Sequence, residues 1–137
     1  MNRSLVLDAE ALSALARGRS RSKGRIRAAM DAAQRLRREV IVPAVILAEL
    51  YRGPGHIQLV DACLSREMGI RVRDTDRPLA RLVGGVLAAA GAGSDDLADA
   101  HVVAAAVETG GGVVLTGDAN FLERLAGNYP NVHVQRI

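Results

Sequence analysis

The sequence has few aromatic residues and a single cysteine, and both shortages exclude kinds of site. Tyr51, Phe121 and Tyr129 are the whole aromatic set of the 137 residues. Base-stacking platforms for single-stranded nucleic acid are therefore nearly excluded, and the core must be aliphatic. Because Cys63 has no second cysteine to pair with, an intrachain disulfide and a cysteine-based zinc cluster are both ruled out.

The chain also lacks a long hydrophobic run. The apolar run before Asp8 is too short for the core of a signal peptide. The longest uncharged stretch, residues 82–94, is interrupted by glycines and is shorter than a membrane span. Its 137 residues, 49% of them hydrophobic and 24% charged, favour one globular domain over 1–137 with its own core. We therefore expect a soluble, cytoplasmic protein.

The net charge of +3 conceals an uneven distribution. Residues 17–38 carry nine basic side chains against one acid, Asp31, which makes this segment +8 and leaves −5 for the rest. An acidic body with one basic arm suits an anionic polymer held near a cation-binding site. The simpler interpretation of the arm is a solvated helix face.

Apolar runs alternate with helical patterns along the chain. Five runs are predicted as strands: "RSLVLD", "EVIVP", "GIRVRD", "GGVVLTGD" and "NVHVQRI". Helices are predicted from 9 to Gly18, over the basic arm, from 44 to Gly53, over 55–68 and 76–91, over 95–109 capped by Ser94, and from about Asn120. This alternation indicates an α/β fold, with a mostly parallel sheet covered by helices on both faces.

Five carboxylates fall where such a sheet forms its sites, outside the carboxyl ends of the strands. Asp8 ends the first strand, Asp118 follows "VVLT", and Glu49 lies in the helix after the second strand. Asp96 and Asp99 are three residues apart near the start of a helix, which puts them on one side of it. Asp95 is an equally good helical neighbour of Asp99, so the spacing leaves Asp95 and Asp96 as alternatives.

Gathered carboxylates repel one another, and a hard divalent cation removes that penalty. Oxygen ligands suit Mg²⁺ or Mn²⁺ rather than zinc, and a cation held in this way activates water for attack on a phosphate. Each acid also has an ordinary interpretation, as a helix cap, a turn residue or a solvated side chain. Only the metal site explains all five together.

Four motifs, in order, resemble the PIN-domain ribonucleases and within them the VapC-like toxins of toxin–antitoxin pairs. They are "LVLDAEAL", "VPAVILAELYRG", "DDLADAHVVAAAV" and "VVLTGDANF". The resemblance covers essentially the whole chain. It implies a PIN-like three-layer sandwich with a four- to five-stranded sheet, and a Mg²⁺- or Mn²⁺-dependent endoribonuclease that leaves a 5′-phosphate and a 3′-hydroxyl.

The resemblance also implies roles for particular residues. Asp8, Asp99 and Asp118 are expected to bind the metal, with Glu49 and Asp96 as further ligands or as acids that orient the water. Thr116 is expected to support the site, and Gly117 stands where many relatives have an arginine. RNA (tRNA, rRNA or mRNA), a cognate antitoxin and a second copy of the chain are the expected partners. The basic arm supplies the predicted RNA or antitoxin contacts: Arg19, Arg21, Lys23, Arg25 and Arg27.

Two other functions compete with this one. A haloacid-dehalogenase-like phosphatase also places an aspartate after its first strand, but it needs a second aspartate where this chain has Glu10. That chemistry also needs a suitably placed lysine, and Lys23 is the only one. A catalytically silent RNA- or protein-binding PIN module is the remaining alternative, and the complete set of acids speaks against it.

Overall fold

The structure is a computed structural model that describes residues 3–17 and 20–137. Its strands are β1 (Ser4–Leu7), β2 (Glu39–Pro43), β3 (Ile70–Arg73), β4 (Gly112–Thr116) and β5 (Val132–Arg136). Its helices are α1 (Ala9–Ala16), α2 (Arg21–Arg35), α3 (Ala44–Leu50), α4 (Pro54–Arg66), α5 (Arg77–Ala90), α6 (Leu97–Glu108) and α7 (Ala119–Ala126), with a 3₁₀ turn at Ser94–Asp96.

The five strands form one parallel sheet in the order β3-β2-β1-β4-β5. The chain moves outwards from β1 to β3, then returns to the other side of β1 for β4 and β5. Because parallel crossovers are right-handed, this reversal assigns α1–α4 to one face and α5–α7 to the other. The predicted α/β fold, a parallel sheet flanked by helices, is confirmed. The strand order reverses between β1 and β4, and their carboxyl ends are where such folds bind ligands.

An aliphatic core fixes these elements. All four residues of β1 are buried, and so are seven consecutive residues of α6, from Ala100 to Ala106. The small alanine side chains let α6 pack closely between the sheet, α5 and α7. A helix apolar on every side is typical of a buried helix, and α6 positions Asp99 at its solvent-facing start.

Some boundaries differ from the predicted ones. Helix α3 ends at Leu50 rather than at Gly53. Ser94 does not cap α6, because a 3₁₀ turn intervenes and Asp96 is the capping residue. The predicted end of the first helix at Gly18 lies outside the described residues. In the described part of the chain, no helix is long and apolar enough to cross a membrane.

Candidate active site

Asp8 is the most deeply placed of the five predicted acids. Its side chain is only 5% exposed, and its Oδ1 accepts a hydrogen bond of 2.8 Å from the N–H of Ala11, which caps α1. Burial raises the pKa of Asp8, while the Thr116 hydroxyl and nearby backbone N–H groups act in the opposite direction. The cap and the site were alternative interpretations of Asp8. The structure makes it a cap of α1 that also lies against the Thr116 hydroxyl at the end of β4.

Thr116 and Asp118 lie at the end of β4, next to Asp8. The Thr116 side chain is fully buried, and its Oγ1 accepts a hydrogen bond of 2.9 Å from the N–H of Asp118. The Asp118 carboxylate caps α7 through the N–H of Phe121 at 3.4 Å, and it is otherwise exposed. Thr116 therefore fixes the backbone that carries Asp118, whereas the carboxylate itself is exposed and accepts only the long hydrogen bond from Phe121.

Asp99 lies at the centre of the acidic cluster. Burial raises the pKa of Asp99 to about 6, and the negative charges of Asp8, Glu49, Asp96 and Asp118 add to this rise, in that order. The other four predicted acids therefore lie close enough to Asp99 for their charges to act on it. Asp95 is exposed and is not among the charges that act on Asp99, so the structure favours Asp96 over Asp95 as the neighbour.

No cation among the described residues pairs with this cluster. Within residues 3–17 and 20–137, no lysine, arginine or histidine forms an ion pair with any of the five acids. The Nδ1 of His101, two positions after Asp99, is 2.7 Å from the Leu97 carbonyl oxygen. The charge that would stabilise five carboxylates must therefore come from outside this part of the chain.

The donor atoms of the cluster fit a hard divalent cation, although they do not enclose one as they stand. In the described ranges no three acidic, histidine or cysteine side chains approach closely enough to hold an ion. Glu49 and Asp118 are exposed and can rotate, while Asp8 and Asp99 are held more deeply. Carboxylate oxygens are the ligands that Mg²⁺ and Mn²⁺ prefer.

Some side chains of the basic arm are hydrogen-bonded to other residues of the chain, and others are exposed. Arg27 donates two hydrogen bonds to the Glu67 carboxylate, and this ion pair joins α2 to α4. Lys23 donates to the Arg17 carbonyl oxygen at 3.0 Å. Arg21 and Arg25 are exposed, and Arg19 lies outside the described residues. Sequence spacing could not reveal the Arg27 pair, because Glu67 is 40 positions away.

Sequence analysis missed two side chains beside the cluster, Glu10 and Arg136. Both line a cavity of about 500 Å³ next to Gly117. Glu10 was considered only as evidence against a phosphatase. Arg136 ends β5, two strands away from β1, and no motif or spacing in the sequence connects it with Asp8.

The chain was compared with protein families and with solved structures, and both comparisons found matches. The family model of the PIN domain matches residues 5–128 of the chain. A DNA-bound VapBC2 structure from Rickettsia felis is similar over 97% of this chain and 98% of that one, with a TM-score of 0.67 and 15% identity. DNA-bound VapBC from Salmonella typhimurium is similar over 99% and 98%, with a TM-score of 0.62 and 17% identity. No curated protein sequence matches significantly.

Proposed function

The chain belongs to the PIN domain family, and on this premise we propose that it is a metal-dependent endoribonuclease acting as the toxin of a toxin–antitoxin pair. One observation carries the proposal: the Asp99 carboxyl lies in the field of four other carboxylates, at the point where the strand order reverses. Perturbed carboxyl groups gathered in this way are typical of functional sites. The matched family offers no support for a dehalogenase-like phosphatase.

The acids have distinct roles in this proposal. Asp8, Asp99 and Asp118 hold the cation, Mg²⁺ or Mn²⁺, and Glu49 and Asp96 complete its shell or orient the attacking water. When bound, the cation lowers the pKa of water and stabilises charge on the phosphate. Thr116 keeps Asp118 in place through the hydrogen bond to its N–H. The products are a 5′-phosphate and a 3′-hydroxyl.

Exposed arginines of the basic arm bind the RNA backbone in this proposal. Arg21 and Arg25 have no ion-pair partner in the described part of the chain, and Lys23 and Arg19 flank them in sequence. Each phosphate contact contributes about −0.7 to the slope of log affinity against log salt for single strands. Replacing Arg21 and Arg25 with glutamine should flatten this slope, measured by fluorescence anisotropy on Asp8→Asn protein. An unchanged slope would rule these contacts out, and Arg27→Gln serves as the comparison because its pairing is internal.

The fold likeness to the VapBC structures supports a protein antitoxin as the partner of this chain. From the family we also expect that the chain forms a homodimer and acts in the cytoplasm. The RNA target, whether tRNA, rRNA or mRNA, depends on the shape of the groove around the acids. Sequencing RNA 5′ ends after a short induction identifies it.

The decisive experiment compares Asp8→Asn with wild type in RNA cleavage with Mg²⁺ and with EDTA. Asparagine keeps an oxygen that accepts the Ala11 N–H, so the variant should fold and keep its α1 cap. Loss of one metal-binding charge should lower the cleavage rate at least ~100-fold, and expression should no longer inhibit growth. Asp96→Asn should also lose activity.

Asp95→Asn is the matched control for these variants, because Asp95 is exposed and is not among the main charges that raise the pKa of Asp99. It should cleave like wild type. A folded Asp8→Asn protein that still cuts RNA would refute the assignment. Folded wild type that binds RNA but does not cut it with Mg²⁺ or Mn²⁺ would instead favour the silent binding module.

A further inference from the structure

A cavity beside the acidic cluster is lined by none of its five acids. Its volume is about 500 Å³, within the range of about 300–1,000 Å³ of small-molecule pockets. Residues from α1, the turn after β4 and the end of β5 line it, including Glu10, Ser13, Arg17, Gly117 and Arg136. A cavity of this size accepts one nucleotide.

Gly117 determines where the Glu10 side chain lies. A Cβ atom added at Gly117 would overlap the Glu10 carboxylate, so the carboxylate occupies the space that a side chain at 117 would fill. Gly117 stands between Thr116 and Asp118 in the chain, which puts Glu10 at the boundary between the cavity and the acids. Within residues 3–17 and 20–137, no hydrogen bond or ion pair holds the Glu10 side chain.

The charges of the lining suit a nucleotide. An ionised carboxylate only accepts hydrogen bonds, so Glu10 selects a base that offers N–H groups. Guanine offers two adjacent donors on its Watson–Crick edge, N1–H and the N2 amino group, and these match the two carboxylate oxygens. Uracil offers one N–H beside two carbonyl oxygens that the carboxylate would repel. Arg17 and Arg136 supply positive charge for the phosphate.

We propose that this cavity seats an unpaired guanine next to the scissile phosphate and that Glu10 reads its Watson–Crick edge. This inference rests on the proposed ribonuclease function and adds the base preference to it. Single-stranded RNA is commonly recognised through such edges. Gly117 is then required for specificity, because it leaves room for the reading carboxylate.

Glu10 also has a structural role in the first turn of α1, where the helix dipole stabilises a negative charge. Loss of that role would change stability but not the base at the cleavage site. The readout is therefore base preference: a pool of RNA with randomised sequence is cut with Mg²⁺, and the 5′ ends are sequenced. Wild type is compared with Glu10→Gln, Gly117→Ala and the control Glu123→Gln, which changes an exposed glutamate on α7.

Wild type should enrich guanine at one position beside the cut, by about 5- to 100-fold, the range of a good bidentate base contact. Glu10→Gln should lose most of this preference while still cutting RNA. Gly117→Ala should do the same, because its methyl group displaces only the flexible end of Glu10. Replacing the guanine with inosine, which lacks the N2 amino group, should slow wild type and leave Glu10→Gln unaffected.

Three results would overturn the inference. If both variants keep the guanine preference, Glu10 does not recognise the base. If another base is enriched, the cavity does not bind guanine. Either result leaves the ribonuclease itself standing. Absence of any Asp8-dependent cleavage by wild type would overturn the proposed function and this inference together.

Discussion

Helix α6 carries an acid near each end, and the two acids respond to their surroundings in opposite ways. Asp99 lies in the first turn, where the helix dipole favours a negative charge, yet its pKa is raised to about 6. Glu108 is the last residue, where the dipole disfavours a negative charge, yet its pKa is lowered. Burial and neighbouring carboxylates outweigh the dipole at Asp99, and the hydrogen-bonded Arg73 outweighs it at Glu108.

The two ends of α6 differ because an arginine binds the acid at one end only. Arg73, the last residue of β3, donates to both carboxylate oxygens of Glu108 at 2.8 Å and to Asp76 at 3.0 Å. At the other end, Asp99 meets four carboxylates and, among the described residues, forms no ion pair. The Arg73 cluster stabilises the fold with a cation of the protein. The Asp99 cluster has no such partner among the described residues, so its carboxylates lower stability, which is the usual relation between a functional site and stability.

The largest effect on stability is expected at the paired end. Arg73→Gln leaves the half-buried Glu108 without its partner and should cost about 1–3 kcal/mol of unfolding free energy. Metal-dependent RNA cleavage should survive, because Arg73 does not act on the five acids. Urea unfolding measures the loss. The control is Arg71→Gln, whose pair with Glu39 is about half exposed (45% and 43%) and should contribute about 0–1 kcal/mol. If both variants lost the same unfolding free energy, the Arg73 pair would contribute no more to stability than the exposed Arg71 pair.

A smaller effect, of opposite sign, is expected at the unpaired end. Because the folded pKa of Asp99 lies above its ordinary value of 3.8, its contribution to stability is complete below pH 3.8 and is lost as the pH rises through about 6. Asp99→Asn should therefore stabilise the metal-free protein at pH 7.5 by about 1 kcal/mol, allowing for partial exposure.

The same measurement with Glu108→Gln tests the opposite sign. The pKa of Glu108 is lowered below 4.5, so its contribution is present above that pH and is lost as the pH falls through the folded pKa. Glu108→Gln should destabilise the protein at pH 7.5 and do so much less near pH 3. If both variants shift stability in the same direction at pH 7.5, the two ends of α6 do not differ in the way described.

Much of the fold was predictable because its signals are local. The apolar run "SLVL" and the alternation of strands with helices predict the parallel sheet, and Asp8 and Asp118 follow directly from strand ends. Spacing alone left Asp95 and Asp96 open, and the resemblance gave Asp96; the structure favours it because its charge acts on Asp99. The Arg27–Glu67 and Arg73–Glu108 pairs join residues 40 and 35 positions apart, and only tertiary packing brings them together. The contact between Glu10 and Gly117 was hidden for the same reason.

Calorimetric titration with Mn²⁺ at pH 7.5 tests the central claim most directly, because it measures whether the acidic cluster binds a cation without relying on cleavage. Wild type and Glu108→Gln should bind Mn²⁺ with similar affinity, and Asp8→Asn and Asp99→Asn should bind it at least ~10-fold more weakly. Equal binding by all four proteins, or no binding by folded wild type, would contradict the account.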